Sequence, residues 1–314
     1  DFTSEQINQS YKSLVEALSS VDPKVQLQIA NSIWYKKGFN VLPQFIQINR
    51  DYYNAEVNAL NFDNPSAAGE INSWVDEKTN HKIDKIIDDI PADVVMYLIN
   101  AMYFKGYWQY AFDKNATFNG PFFTGNDAQV SVPFMKQKGD YPYMTCDSFA
   151  LVELPYGRGN FCMNVLLPQP GYSLSDLLPA LTAENWEGWL KRRYYATINL
   201  VLPRFTFSYN NILNNELAAM GMGIAFTPQA DFSGINGTGG LDISKVIHKT
   251  FVDVNEEGTE AAAVTAVEIE LTSMPVEPIT FKVDRPFIFA IREVTTGALL
   301  FIGMVQNPLT TENE

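Results

Sequence analysis

Residues 255–271 read Asn-Glu-Glu-Gly-Thr-Glu-Ala-Ala-Ala-Val-Thr-Ala-Val-Glu-Ile-Glu-Leu, and this stretch is the most informative part of the sequence. Its second half, from Val267 to Leu271, alternates apolar and acidic residues, which predicts a β-strand. Its first half contains Ala261-Ala262-Ala263, and alanine favours helix over strand. Weak commitment to one structure, together with a strand-compatible pattern, is what a conformational switch requires. The pattern alone is equally compatible with an ordinary helix or hairpin strand before a proline-rich connection.

The alternation divides residues 259–271 into two sets of side chains. The set that could face a core is Thr259, Ala261, Ala263, Thr265, Val267, Ile269 and Leu271. The opposite set is polar or small and comprises Glu260, Ala262, Val264, Ala266, Glu268 and Glu270. The chain continues as Thr272-Ser273-Met274-Pro275-Val276-Glu277-Pro278, a polar stretch whose two prolines favour an extended, exposed conformation.

Hydrophobic periodicity outside this segment predicts a mixture of helices and strands. Helices are predicted over residues 4–18, with Ser4 as the cap, and over residues 43–52, 66–87, 174–189 and 211–220. Strands are predicted over residues 25–35, 55–62, 94–104 and 196–207, and on both sides of a hairpin turn at residues 156–160. The apolar run at residues 94–104 is typical of a strand covered on both faces or of a buried helix, and Gly106 favours the strand. Separate helical and strand blocks indicate an α+β protein with a large, mostly antiparallel sheet.

The composition argues against several classes of protein. The chain has 314 residues, 46% of them apolar, which is enough for a sizeable core. The net charge of −14 repels phosphate backbones and anionic lipids, so we expect no nucleic-acid partner. No charge-free apolar run reaches the roughly 18 residues of a membrane span, so none is expected. The start, Asp1-Phe2-Thr3-Ser4-Glu5, has no basic or apolar leader, so no secretion signal is visible.

The usual signatures of an enzyme or a metal site are missing from the sequence. His81 and His248 are the only histidines, and there is no H-E-x-x-H, G-x-S-x-G or P-loop motif. His248 lies between apolar residues, which is more typical of a core histidine than of a catalytic base. Cys146 and Cys162 form no C-x-x-C motif and are interpreted as two small, partly buried thiols. We therefore expect no catalytic residue, no metal and no cofactor.

Five segments, which follow one another in the family's order over nearly the whole chain, resemble the serpins. One of them resembles the inhibitory hinge of that family and reads Glu256-Glu257-Gly258-Thr259-Glu260-Ala261-Ala262-Ala263-Val264-Thr265-Ala266. The others resemble the central strand of the large sheet (residues 100–108), the C-terminal signature (residues 281–291) and two further family segments (residues 246–249 and 299–303). The chain is therefore identified as a member of the serpin family.

The resemblance implies a fold and a function. The fold is a single serpin domain over residues 1–314, with a large central sheet, two further sheets, surrounding helices and an exposed reactive-centre loop. The function is inhibition of serine-type endopeptidases by a suicide mechanism rather than catalysis. A protease cleaves the loop and forms an acyl-enzyme, and the cleaved loop then inserts as a strand into the central sheet. A non-inhibitory relative, such as a carrier or chaperone, is the alternative, and the alanine-rich hinge favours inhibition.

The resemblance also assigns roles to particular residues. Residues 256–266 correspond to the hinge, with Gly258 and the residues after it as its moving part. Asn100 and His248 match a polar pair beneath the point where the sheet opens. Arg204 matches the partner of Glu256 in a charge pair at the top of the sheet, and Trp108 matches an aromatic residue at the same place.

The position of the bait bond remains open between two neighbouring bonds. Counting along the hinge, as the family does, places the cut between Thr272 and Ser273. Side-chain physics favours the bond between Leu271 and Thr272, because a primary pocket gains about 1.5–3 kcal/mol by burying leucine. The expected targets are chymotrypsin-like or elastase-like proteases with apolar pockets, and cysteine proteases are possible targets. No lysine or arginine lies between Glu256 and Ile279, so trypsin-like proteases are expected to be poor targets.

One departure from the family concerns the beginning of the chain. Serpins normally have further helices and a strand before the position that matches Phe2, so we expect a chain that lacks this N-terminal part of the fold. We also expect a monomer with an extracellular or cell-envelope location. The helix predicted at residues 4–18 carries Lys12 against Glu5 and Glu16, so no heparin dependence is expected.

Overall fold

The computed structural model describes residues 2–125, 128–259 and 277–310. Within these residues the α-helices are α1 (Ser4–Ser20), α2 (Pro43–Tyr53), α3 (Ala67–Lys78), α4 (Leu174–Leu177), α5 (Ala183–Lys191), α6 (Asn214–Leu217) and α7 (Ser233–Asn236). The strands are β1 (Val25–Lys36), β2 (Ala55–Leu60), β3 (Met96–Tyr107), β4 (Phe118–Phe123), β5 (Gln129–Thr145), β6 (Phe149–Tyr156), β7 (Phe161–Pro168), β8 (Tyr194–Pro203), β9 (Phe205–Ile212), β10 (Ile247–Val254), β11 (Gly258–Thr259), β12 (Ile279–Lys282), β13 (Phe287–Glu293) and β14 (Leu299–Val305).

The described strands form three groups in which most neighbours are antiparallel. The first has the order β11-β3-β1-β2, with β1 and β2 parallel. β9 and β10 form an antiparallel pair, and β10 packs beside β3. We call these two groups together the divided sheet. The third group is an eight-stranded sheet with the order β12-β8-β5-β6-β7-β13-β14, to which β4 is added by pairing with β5. The α+β class with a large, mostly antiparallel sheet is confirmed.

The first helix begins at Ser4, as predicted, but its cap is a different residue. Thr3, rather than Ser4, is the N-cap, because its hydroxyl accepts the backbone N–H of Gln6 while the Gln6 side chain accepts the N–H of Thr3. This reciprocal capping box satisfies two backbone donors at the start of the helix.

The helix predicted at residues 66–87 ends much earlier, at Lys78. Thr79 donates its hydroxyl to the carbonyl oxygen of Val75 and accepts the N–H of Ile83, so its side chain replaces the continuing helical hydrogen bonds. Asn80 and His81 then adopt left-handed backbone angles, with φ of 51° and 61°. The apolar residues beyond this point are still buried, but they lie in irregular chain.

Three further predictions needed correction in the segment from residue 174 to residue 220. The helix predicted at residues 174–189 is divided into α4 and α5, because a tight turn containing Pro179 intervenes and Thr182 caps the second helix. The helix predicted at residues 211–220 is also wrong in its first part. β9 continues to Ile212, which pairs with Ile247 of β10, and α6 begins only at Asn214. The strand predicted at residues 196–207 is really two strands, which meet at Arg204.

β3 is covered on both faces along only part of its length. Ile99 and Ala101 are buried beneath α3, but on the opposite face Leu98 is 63% exposed. At Tyr103 and Phe104 both faces are buried, and Phe104 packs into the core shared with the eight-stranded sheet. The apolar run therefore predicts the strand correctly and its two-sided burial only in part.

Candidate functional site

The described part of the hinge lies against the carboxyl end of β3. β11 pairs antiparallel with β3, which places Thr259 opposite Gly106. Immediately before β11, the backbone N–H of Trp108 donates to the carbonyl oxygen of Glu257 at 2.8 Å. The hinge therefore begins as backbone already added to the edge of β3. We call residues 255–259, with the side chains that contact them, the hinge root.

Gly258 is required by the close approach of β11 to β3. Its φ of 141° lies in the region that L side chains rarely adopt. A Cβ atom at this position would lie 2.1 Å from the carbonyl oxygen of Gly106 and 2.7 Å from the Cα of Tyr107. Because both of these atoms belong to the backbone, any side chain at residue 258 would push the hinge root away from the sheet.

Thr259 is buried against Tyr156, the last residue of β6. Thr259 is 4% exposed and Tyr156 is fully buried, and their side-chain oxygens lie 2.9 Å apart. Burial raises the pKa of Tyr156 above its ordinary value of 10.0, so the phenol keeps its proton and can donate a hydrogen bond. Thr259 is the first member of the set predicted to face a core, and its side chain is indeed buried.

Trp108 closes the hinge root from the side of β3. Its indole ring stacks on the Tyr156 ring with centroids 4.3 Å apart and planes 9° apart. Its Nε1–H donates to the carbonyl oxygen of Asn255 at 2.9 Å. The indole thus holds both the backbone just before the hinge and the tyrosine beneath Thr259.

Glu256 is a buried carboxylate held by a cation and a hydroxyl. The Nε of Arg204 donates to Oε1 of Glu256 at 2.7 Å, and the hydroxyl of Thr117 donates to the same oxygen. The Glu256 side chain is 2% exposed, whereas that of Arg204 is 42% exposed. Burial by itself would raise the pKa of Glu256, but the hydrogen bonds from Arg204 and Thr117 outweigh it and lower the pKa below the ordinary value of 4.5. The predicted Glu256–Arg204 charge pair is therefore formed at the junction of β8 and β9.

Glu257 is anchored on the other side of the hinge root. Its side chain is 7% exposed and forms an ion pair with Lys114, which follows β3 in the sequence. The two consecutive glutamates thus connect the hinge root to two different elements. Within the described residues, the second oxygen of Glu257 has no hydrogen-bond partner.

Asn100 and His248 are placed on the two strands that border the division of the sheet. Asn100 lies on β3 and donates from Nδ2 to Oδ1 of Asn31 on β1, at 2.8 Å. His248 lies on β10, with its ring 6.1 Å from that of Tyr209. Burial lowers the pKa of His248 below its ordinary value of 6.5, which favours the neutral imidazole at neutral pH. Their predicted role as a polar pair beneath the opening point stays a prediction.

The rest of the predicted site lies outside the described residues. This applies to the hinge from Glu260 to Ala266 and to the three residues at the bait bond, Leu271, Thr272 and Ser273. In the part of the chain that is described, no group of three histidine, cysteine, aspartate or glutamate side chains is arranged to hold a metal ion. No helix in the same part is long and apolar enough to cross a membrane.

Sequence reasoning missed three side chains of the hinge root: Tyr156, Thr117 and Lys114. Each lies about 100 residues or more from the hinge along the chain, so only the tertiary structure brings it into contact with the hinge root. Tyr156 carried a weak signal, since it directly precedes the glycine of a predicted hairpin turn. Thr117 and Lys114 carried none.

The ion pair of Glu256 predicts a specific dependence of stability on pH. We expect Glu256→Gln to lower the free energy of unfolding by about 1–3 kcal/mol at pH 7, less than for a fully buried pair because Arg204 is partly exposed. The pKa of Glu256 is lowered on folding, so its contribution is present above the ordinary carboxyl pKa and is lost as the pH falls through the lower folded pKa. Urea unfolding of both proteins between pH 7 and about pH 3 measures this.

The matched control is Glu187→Gln, which removes a carboxylate from an exposed pair with Lys191. That change should cost less than about 0.5 kcal/mol. A Glu256→Gln penalty that stayed constant across the whole pH range would contradict the assignment of the effect to the ionised carboxylate.

Comparison with known proteins gives a consistent result over the whole chain. A family model described as Serpin (serine protease inhibitor) matches residues 2–308. The alpha-1-antitrypsin homolog of Cyprinus carpio is 34% identical over 306 residues, which are 96% of this chain and 81% of that protein. The leukocyte elastase inhibitor of Homo sapiens is 34% identical over an alignment of 320 positions, which covers 98% of this chain and 84% of that protein.

Solved structures show the same similarity in three dimensions. The native state of the thermophilic serpin tengpin has a TM-score of 0.88 and 35% sequence identity, over 98% of this chain and 80% of that one. A complex of thyroxine-binding globulin with thyroxine has a TM-score of 0.86 and 28% identity, over 97% and 82% of the two chains. The similar proteins thus include one named as an elastase inhibitor and one named for binding thyroxine. Since the family model covers nearly the whole chain and the described strands form the fold of these structures, this chain belongs to the serpin family.

Proposed function

We propose that this chain is an inhibitory serpin, a suicide substrate for serine endopeptidases whose cleaved loop inserts into the divided sheet. The observation that carries the proposal is the state of Thr259. It is paired with β3 and buried against Tyr156, so the first residue of the core-facing set already occupies a strand position. Insertion of the following residues would extend a strand whose start is in place.

Extending β11 in its present register gives each later residue a defined neighbour on β3. Thr265 would lie opposite Asn100, and Ile269 would lie opposite Met96, the first residue of β3. The core-facing set would share the face on which Phe104 is buried. β3 is therefore long enough to receive nearly all of the segment predicted to insert.

The opposite set of side chains fits the other face of β3. Glu260 would lie opposite Lys105, an arrangement in which opposite charges stabilise neighbouring strands. Val264 would lie opposite Ala101, which is buried beneath α3. Small side chains are needed in this part of the loop, because α3 already covers that face. This requirement accounts for the small alanines of the opposite set, Ala262 and Ala266.

Insertion requires that β3 and β10 move apart. In the described residues β3 forms its backbone ladders with β1 and β11, and β10 forms its ladder with β9. The two halves of the divided sheet can separate as units without breaking these ladders. Asn100 on β3 and His248 on β10 border the opening, and we assign them the role of polar groups that are rearranged when a strand enters.

The chemistry of inhibition is supplied by the protease. Its nucleophile attacks the carbonyl carbon of Leu271, an ester forms, and the peptide that begins at Thr272 leaves with a new amino terminus. Insertion of residues 259–271 then carries the ester through roughly 44 Å, at about 3.4 Å per strand residue. A displaced protease loses the alignment of its nucleophile and oxyanion hole, and small misplacements of these groups are enough to stop deacylation.

We expect a covalent complex with chymotrypsin-like and elastase-like proteases that survives a denaturing gel. Trypsin-like proteases should give little complex, because the bait segment lacks lysine and arginine. A cysteine protease should be included in the same panel. Mass spectrometry of the released C-terminal peptide then identifies the cleaved bond: a first residue of Thr272 supports Leu271–Thr272, and a first residue of Ser273 supports the neighbouring bond.

Two outcomes would contradict this proposal. Cleavage of the loop by every protease without a stable complex would favour the non-inhibitory alternative, a carrier or chaperone. A released peptide that begins before Ile269 would leave too short a strand for the mechanism. The monomeric state, the extracellular or cell-envelope location and the independence of heparin stay predictions.

A further inference from the structure

A hydrogen bond between two buried hydroxyls joins the hinge to the eight-stranded sheet. Tyr156 belongs to β6 of that sheet, whereas Thr259 belongs to β11 of the divided sheet, and their oxygens lie 2.9 Å apart. We propose that Tyr156 is a positioning residue whose hydroxyl fixes the register in which the loop begins to insert. This role rests on the proposed inhibitory function. We call the hydrogen bond the hydroxyl latch.

The ring of Tyr156 is immobilised by β3 before any insertion takes place. It stacks on Trp108 and meets the edge of Phe104 at a centroid distance of 5.3 Å. The backbone N–H of Gly157 donates to the carbonyl oxygen of Tyr107 at 2.7 Å. The phenolic oxygen is therefore held at one position relative to β3, which is the strand that receives the loop.

The turn that follows Tyr156 is fixed by Asp22. The Asp22 side chain is buried and accepts the backbone N–H groups of Arg158, at 2.7 Å, and of Lys24, at 2.9 Å. A Cβ atom on Gly157 would lie 2.6 Å from an oxygen of Asp22, so the turn fits closely around this carboxylate. Asp22 thus fastens the end of β6 to the start of β1. As a result, the latch connects the hinge to a rigid frame rather than to a mobile side chain.

The latch favours one register over its neighbours. A slip of one residue would bring Gly258 or Glu260 to the position of Thr259, and it would also exchange the two faces of the segment. Glycine has no hydroxyl to offer. Glutamate would place a charge among Tyr156, Trp108 and Phe104, each of which is at most 5% exposed. Of these three registers, only the one with Thr259 at this position offers Tyr156 an uncharged hydroxyl as its partner.

The register matters because insertion competes with hydrolysis of the acyl-enzyme. If insertion begins late or in the wrong register, the protease completes its reaction and leaves a cleaved, inactive inhibitor. The number of inhibitor molecules consumed per protease trapped measures this competition. The latch acts after acylation, so its loss should raise this number and leave the rate of loop acylation unchanged.

Five variants of the full chain test the latch. Tyr156→Phe and Thr259→Val each remove one hydroxyl and keep the volume, and the double variant removes both. Tyr141→Phe is the control, since Tyr141 is a buried tyrosine of the same eight-stranded sheet. With chymotrypsin as the probe, each single variant should raise the inhibitor consumed per protease by about two- to tenfold, the ratio that corresponds to one net hydrogen bond. The double variant should show no further increase, Thr259→Ser should restore the wild-type value, and Tyr141→Phe should match the wild type.

The outcomes separate failure of the latch from failure of the proposed function. Wild-type values for both single variants, or an equal effect of Tyr141→Phe, would overturn the latch while inhibition stands. If the wild type traps no protease, the proposed function fails. In that case, hydrogen exchange of the uncleaved proteins tests the Tyr156–Thr259 hydrogen bond independently of inhibition. The peptide that contains Thr259 should exchange about two- to tenfold faster in Tyr156→Phe than in the wild type, and unchanged protection would overturn it.

Discussion

Thr259→Arg is expected to turn the inhibitor into a substrate, which is cleaved at the normal rate but yields almost no stable complex. The Thr259 side chain is 4% exposed, and its oxygen faces the hydroxyl of Tyr156. An arginine at this position would have to bury its charge beside the Tyr156 phenol, and burying a charge costs several kcal/mol. A penalty of about 3 kcal/mol on insertion corresponds to roughly 100-fold, at 1.36 kcal/mol per factor of ten. The measurement is the yield of gel-stable complex per loop cleaved.

A matched control tests whether the loss of complex depends on position 259 or on the added positive charge in general. Thr145→Arg introduces the same side chain at an exposed position at the end of β5. Thr145 pairs with Ala150 near the start of β6, whereas Tyr156 is at the other end of that strand. It should form complex at the wild-type yield. A Thr259→Arg protein that also did so would show that residue 259 does not enter the sheet, and the assignment of insertion would be wrong.

Ala261→Pro tests the same step by a different physical route. Proline brings no charge, but it cannot donate a backbone hydrogen bond and is poorly tolerated inside a central strand. We expect the loop to be cut as in the wild type and the complex yield to fall, because strand growth would stall two residues after the latch. Equal yields for this variant and the wild type would mean that residue 261 remains outside the sheet.

The sequence predicts those parts of the site that depend on local residue patterns. Alternation assigned Thr259 to the core-facing set, and the structure buries it. The resemblance to the family supplied the pair of Glu256 and Arg204 and the position of Trp108, and the structure brings all three to the hinge root. The burial of Thr259 follows from a strand's period of two, whereas the roles that the resemblance assigns to Glu256, Arg204 and Trp108 stay predictions.

What the sequence could not supply were contacts made by elements distant in the chain. Nothing local marks Tyr156 as the partner of a residue about 100 positions away, because the contact exists only once β6 and β3 end side by side. The helix predicted at residues 66–87 failed for a related reason. The apolar spacing continues beyond Lys78, but the hydroxyl of Thr79 takes over the helical hydrogen bonds, and periodicity does not detect such a side-chain cap.

Cleavage of the bait loop is expected to raise the melting temperature by about 10 °C or more. An inserted strand would pack Val267, Ile269 and Leu271 on the face of β3 that carries Leu98 and Phe104. At about 1.5–3 kcal/mol for each large apolar side chain, these three contribute at least several kcal/mol before the cost of ordering the segment. For a domain of this size, one kcal/mol shifts the melting temperature by about 2–4 °C.

Part of this expected stabilisation can be assigned to the exposed face of β3. In the register of β11, Val267 would lie opposite Leu98, whose side chain is 63% exposed in the uncleaved chain. Insertion would therefore cover a leucine that now faces solvent, besides adding a ladder between β3 and β10. Calorimetry before and after limited cleavage, with the cut verified by mass spectrometry, measures the shift. Cleaved Thr259→Arg is the control, and it should melt close to its uncleaved form because its loop cannot enter. If the cleaved wild type showed no rise in melting temperature, the loop does not become a strand of the divided sheet, and the protein is a serpin that does not inhibit by insertion.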